Sequence, residues 1–187
     1  MFLAGVGLGG TVALVAAATD DRVAGVAVCN AFTPLRSGPR GATFVEELAE
    51  RHGLVPRLGF FSGAEERIPV DFPEVLAAIA PRPALVIASQ FDRHADHAAV
   101  AASVAAAGQV YRLVDAADRL QLIAAPNVNR FTAVEKPQVA AWIADQAAAG
   151  AGRLIRLTLE PRARTSPGQQ RRGRDCPCPR SRRGGPA

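Results

Sequence analysis

Six residues near the amino terminus, Gly5-Val6-Gly7-Leu8-Gly9-Gly10, have the spacing of two different chemical devices. Gly5, Gly7 and Gly10 satisfy G-x-G-x-x-G, the turn that lets a dinucleotide pyrophosphate approach a helix N-terminus. The same six residues satisfy G-x-S-x-G-G with glycine in the serine position, the sharp strand-to-helix turn that presents a nucleophile. The first device needs a complete strand before the turn and an acidic residue ending the second strand, about 20 residues on, to hold a ribose hydroxyl. Here the second apolar run ends Val28-Cys29-Asn30, with Asn where Asp or Glu is required. The second device needs small residues two before and two after the nucleophile, and Gly5 and Gly9 fill those places. Its nucleophile sits in a strained backbone conformation of positive φ, which glycine adopts without steric cost. Gly7 in place of serine therefore relaxes the turn and deletes the chemistry. A glycine-rich helix start that only permits close packing is a third reading, and it explains the glycines alone.

A second cluster, Asp92-x-His94-x-Asp96-His97, carries metal-ligand side chains. Ligands so close in sequence need a further residue from elsewhere to converge, and none is marked out. A solvated helix start, with Asp92 as a loop carboxylate, is the simpler reading; neither metal nor cofactor is expected. Cys176-Pro-Cys178 is C-x-C without a second Cys or His pair, so these cysteines and Cys29 read as incidental.

The elements that must position these residues alternate short β-type runs with alanine-rich helical runs, which predicts an α/β fold with a mostly parallel sheet flanked by helices. Strands are expected at Met1 to Ala4, Val23 to Cys29 and Ala84 to Ser89, with further candidates at Val110 to Val114 and Leu120 to Ala124. Helices are expected at Gly10 to Thr19, Thr43 to His52, from an Asp71 N-cap through Ala80, and at Ala95 to Ala107. Thr132 to Gln146 reads as the closing amphipathic helix, with Val139, Trp142 and Ile143 inward and Pro137 marking its start.

Four segments resemble the bacterial α/β hydrolases related to dienelactone hydrolases and acetyl xylan esterases. They are Gly5 to Ala18 with Val23-Ala24-Gly25-Val26, His52 to Gly59, Ile79-Ala80-Pro81-Arg82-Pro83-Ala84-Leu85-Val86-Ile87 leading to Asp92, and Pro126 through Phe131 before the Trp142 helix. The resemblance implies that Gly7 stands at the nucleophile position with serine absent, Asp92 at the acid position, and the Leu8 amide at an oxyanion donor. The family's histidine would fall in the loop Ala125-Pro126-Asn127-Val128-Asn129, where Asn127 marks the region and no histidine stands. The resemblance thus implies a protein related to carboxylic ester hydrolases that lacks serine-hydrolase activity. A non-catalytic ligand-binding or protein-interaction module on the same fold is the alternative. Its expected partner is a small ester-like molecule. The resemblance also implies several strands and a second oxyanion donor before the elbow, so the chain is expected to be the C-terminal half of such a domain, truncated at its amino terminus.

The net charge of +5 divides unevenly about Ala148. Residues 149–187 hold 10 of the 22 Lys+Arg and 2 of the 17 Asp+Glu, a net of +8, which leaves residues 1–148 at −3. The basic pI therefore belongs to the tail and gives no reason to expect nucleic acid on the folded part. The tail, 149–187, is rich in Arg, Gly, Pro and Ser without apolar periodicity beyond Leu154 to Leu159, the composition of a disordered segment. Lys136 is the sole lysine, and such an arginine bias also fits a GC-rich gene read out of frame over the tail. No apolar run approaches the ~20 residues of a membrane span, and the opening residues lack a signal-peptide pattern. A cytoplasmic location is the resulting expectation.

Overall fold

The computed structural model describes residues 1–159, with side chains through Ala149. Four strands, β1 (Phe2–Val6), β2 (Gly25–Cys29), β3 (Ala84–Ser89) and β4 (Leu120–Ala125), form one parallel sheet in the order β1-β2-β3-β4. Helix α1 (Leu8–Thr19) crosses from β1 to β2, α2 (Pro39–Glu46) and α3 (Phe72–Ile79) lie between β2 and β3, and α4 (His97–Leu113) joins β3 to β4. Helix α5 (Glu135–Leu159) closes the described chain.

The apolar runs GVAVC and ALVIAS belong to the two central strands, in which every residue is buried. Alternation assigns their side chains to two cores. Val26, Val28, Ala84, Val86 and Ala88 face a core filled by α1, α3, α4 and the segment around Val45 and Leu48. Ala27, Cys29, Leu85 and Ile87 face Val139 and Trp142 of α5 on the other side. The outer strands of this described sheet, β1 and β4, are only partly buried.

Arg82 explains why the Pro81-Arg82-Pro83 corner precedes β3. Its guanidinium donates to the carbonyls of Asp20 (3.0 Å), Val23 (2.9 Å) and Ile79 (3.2 Å), so one cation caps the C-terminal end of α1 and holds the approaches to β2 and β3. Asp71, the expected N-cap of α3, forms a capping box with Glu74. Its buried carboxylate also accepts from Leu35 N at 2.8 Å and Arg36 N at 3.0 Å, tying the loop after β2 to α3.

The expected strand at Val110 to Val114 is instead the last turn of α4, and this corrects the reading from sequence. Val100, Val104, Ala107 and Tyr111 are buried at helical spacing, and the Tyr111 hydroxyl donates to Arg82 O at 2.9 Å. That packing overrides the β propensity of Val110 and Tyr111. Helix α5 begins two residues before Pro137 and continues past Gln146 to Leu159, so the boundary after Ala148 falls inside it. Ala147 to Ala149 are strong helix formers that give it no reason to stop. The rest of the tail, with Cys176 and Cys178, lies outside the described residues. Among the described residues, no helix is long and apolar enough to cross a membrane.

Candidate functional site

The C-terminal ends of the four strands converge at one edge of the sheet, where open α/β sheets place their ligands. Gly7 stands at the end of β1 with φ 53 and ψ −130. Its N–H donates to Cys29 O at 2.9 Å, while its carbonyl accepts from Gly10 N at 2.9 Å and Thr11 N at 3.1 Å, locking the turn to β2 and to α1. A Cβ on Gly7 would meet nothing within 4 Å, so a side chain there would project into open space. A Cβ on Gly5 would lie 2.6 Å from Gly10 N, and one on Gly10 would lie 2.7 Å from Ala31 Cβ. Strand, helix and the end of β2 thus meet closely enough to exclude side chains at both positions. Gly9, expected to be required for the same reason, has open space around it.

Gly7 lines a cavity of about 280 Å³ together with Leu8, Asn30, His52, Asp92 and Asn129. Leu8 is the first residue of α1, so its N–H is among the donors that a helix N-terminus leaves without an intrahelical acceptor. Asp92 is buried, and its Oδ1 accepts from His94 N at 2.8 Å, closing the loop after β3. Phe32 and Phe44 add apolar wall, and Glu47 and His94 add polar rim. Gly7, Leu8 and Asp92 thus line one cavity.

Asn127 is placed differently. Its Oδ1 accepts from Ser89 Oγ at 2.5 Å and its Nδ2 donates to Glu135 Oε1 at 2.5 Å, while Glu135 also accepts from Thr132 N at 2.8 Å and from the Thr132 hydroxyl. Asn127 thus anchors the β4–α5 connection, and Asn129, two residues on, is the one that reaches the cavity. The Thr132 hydroxyl bond is the main influence on Glu135; burial opposes it, and backbone N–H groups and Asn127 reinforce it, leaving the carboxyl below its usual range. On the buried side of β2, desolvation, followed by the charge of Glu135, pushes the Cys29 thiol up to about 11, so it is inert as a nucleophile at neutral pH.

Sequence reasoning does not single out His52 and Asn30 as cavity residues. For His52 the only available signal is its place in the His52-Gly53-Leu54-Val55-Pro56 segment. Asn30 could be found as the residue immediately after an apolar run that ends beside the glycine turn in space. Of the Asp92-to-His97 cluster, Asp96 caps α4 by accepting from Ala98 N at 3.0 Å and Ala99 N at 3.2 Å. Among the described residues, no three His, Cys, Asp or Glu side chains converge as a metal site.

No protein-family model matches the chain, and no curated protein does. Solved structures do. A glucuronoyl esterase from Solibacter usitatus superposes with a TM-score of 0.64 at 19% identity, covering 78% of this chain and 42% of that one. A promiscuous carbohydrate esterase family 15 enzyme from a marine bacterial metagenome gives 0.64 at 22% identity, covering 76% and 41%. A glucuronoyl esterase of the same family from Caldicellulosiruptor kristjansonii gives 0.62 at 22%, covering 73% and 40%. The chain has part of an α/β-hydrolase fold. It spans about two fifths of the length of these solved structures. In this layout, Gly7 occupies the turn after β1 and Asp92 the loop after β3, and both line one cavity.

Proposed function

We propose that this chain is an ester-hydrolase-like binding domain that accepts a small ester-like or carboxylic ligand in the Gly7 cavity and forms no acyl-enzyme. The observation that carries this reading is Gly7 itself: positive φ at a strand-to-helix turn, with open space where a nucleophile would project. Covalent acyl transfer needs a hydroxyl or thiol at that point and a base within hydrogen-bond reach of it. The Leu8 amide at the head of α1 is the donor that would face a ligand oxygen, and Asp92 and Asn129 are the side chains that would orient it. The cavity is small and partly apolar, which suits a short acyl or methyl-ester group more than a polymer. A closer relation to dienelactone hydrolases and acetyl xylan esterases rests on the four sequence segments, and the glucuronoyl esterase likeness supports the same broad chemistry.

The test is a titration of the purified chain with a short-chain aryl ester and with its acid, followed by amide NMR shifts and product release. Saturable shifts at Leu8 and Asn129 with no release above buffer are expected, and Gly7→Ser alone is expected to restore no hydrolysis. Turnover by the native chain that an Asp92→Ala variant loses would overturn the reading.

A further inference from the structure

Asn30 follows β2 directly in a left-handed conformation, with φ 48, and β3 orients its side chain. Ser89 N donates to Asn30 Oδ1 at 2.8 Å. A carboxamide nitrogen cannot accept that hydrogen, so the bond establishes which end of the amide faces which way. Nδ2 is directed away from Ser89, is buried, and has no hydrogen-bond partner among the described protein atoms. His97, the first residue of α4, shows the same property: Nδ1 is buried and unpartnered. Asn30 and His97 line one hollow of about 10 Å³, with Ser89 and Asp92 also on its wall. That volume takes about one water-sized sphere, which is too little for phosphate or any organic group. One of the two atoms is an obligate donor, and the unprotonated nitrogen of a neutral imidazole is an acceptor, so with Nδ1 unprotonated their chemistries are complementary through a molecule that both accepts and donates.

We propose that this hollow is a binding site for a single water molecule that accepts from Asn30 Nδ2 and donates to His97 Nδ1. The water joins the end of β2 to the start of α4. Asn30, Asp92 and Ala95 line both this hollow and the Gly7 cavity, so the bridge lies behind a shared wall and holds Asn30 against the start of α4. The site requires His97 to be neutral with its proton on Nε2. It stands independently of what the cavity binds, because no ligand takes part in it.

A high-resolution crystal structure of the intact chain is the direct test. The expected result is a solvent peak about 2.7–3.2 Å from both Asn30 Nδ2 and His97 Nδ1. A dry hollow, or a direct Asn30–His97 hydrogen bond, would overturn the proposal. In solution, ¹⁵N NMR at pH 7.5 is expected to show the Nε2–H tautomer of His97 with Nδ1 as an acceptor, together with a water cross-relaxation signal at the Asn30 side-chain amide. A proton on Nδ1, or no water signal at that amide, would count against the site even if crystals never form.

Discussion

Gly5 and Gly9 flank Gly7 symmetrically in the sequence yet meet different surroundings. The Gly5 position faces the first turn of α1 at less than a carbon contact distance, whereas the Gly9 position faces open space. One substitution therefore has opposite signs at the two positions. Gly5→Ala is expected to destabilise the fold by about 1–3 kcal/mol through overpacking. Gly9→Ala is expected to stabilise it by roughly 0.5 kcal/mol by reducing unfolded-state entropy in a helical position. Urea denaturation of the two variants checks both, and equal effects would mean that the turn does not pack in this way. At the same scale, the Glu135 carboxyl is held below its ordinary range, chiefly by the Thr132 hydroxyl. A depressed folded-state pKa stabilises the protein above the unfolded carboxyl value and is lost as pH falls through the folded value. Melting temperature is therefore expected to drop from pH 6 towards pH 3. Glu135→Gln should begin lower at pH 6 and fall less over that span; a parallel curve would exclude Glu135 as a contributor.

Among the elements, α3 depends on a single carboxylate. Asp71 accepts from Phe72 N at 2.7 Å within the cap, and from Leu35 N and Arg36 N across the fold. Removing it leaves the helix end uncapped and two loop N–H groups without an acceptor. A cap is worth about 1 kcal/mol and each buried unpaired donor about 1–3 kcal/mol. Asp71→Ala is expected to cost roughly 3 kcal/mol, read as a reduced urea midpoint, with Asp71→Asn losing less. The cap is legible in sequence because an N-cap is a local device, set by residues one to three positions away. The bonds to Leu35 and Arg36 are not, since they join segments far apart in the chain. The end of α4 misleads for the same reason in reverse. Val110 to Val114 has local β propensity, but Tyr111 is fixed by the distant carbonyl of Arg82.

For the whole molecule, the surface that matters is an apolar groove beside α1. β1 pairs only with β2 among the described residues, and the outer face of α1 exposes Val12 and Val15 to a groove of about 690 Å³ shared with α3 and the Leu54-Val55 loop. An exposed apolar groove of this kind favours association. Concentration-dependent sedimentation and binding of an apolar fluorescent dye are expected. Val15→Lys should reduce both while changing stability by about 0.5 kcal/mol or less, as for other exposed sites. Unchanged dye binding would place the apolar surface elsewhere.

The parallel α/β layering, the glycine turn between β1 and α1, the Asp71 cap and the strand Ala84–Ser89 were all determined by the sequence alone. Each depends on side-chain period or on residues adjacent in the chain, and such patterns survive without knowledge of the fold. The tertiary structure decided which residues share the cavity. Asn127 and Asn129 are chemically identical and two positions apart, yet one is consumed by Ser89 and Glu135 while the other reaches Gly7's cavity. His52 and Asn30 join Asn129 there from segments that lie far apart in the chain. A site at the ends of parallel strands is assembled from loops that are distant in sequence, and only the crossover connections bring them together.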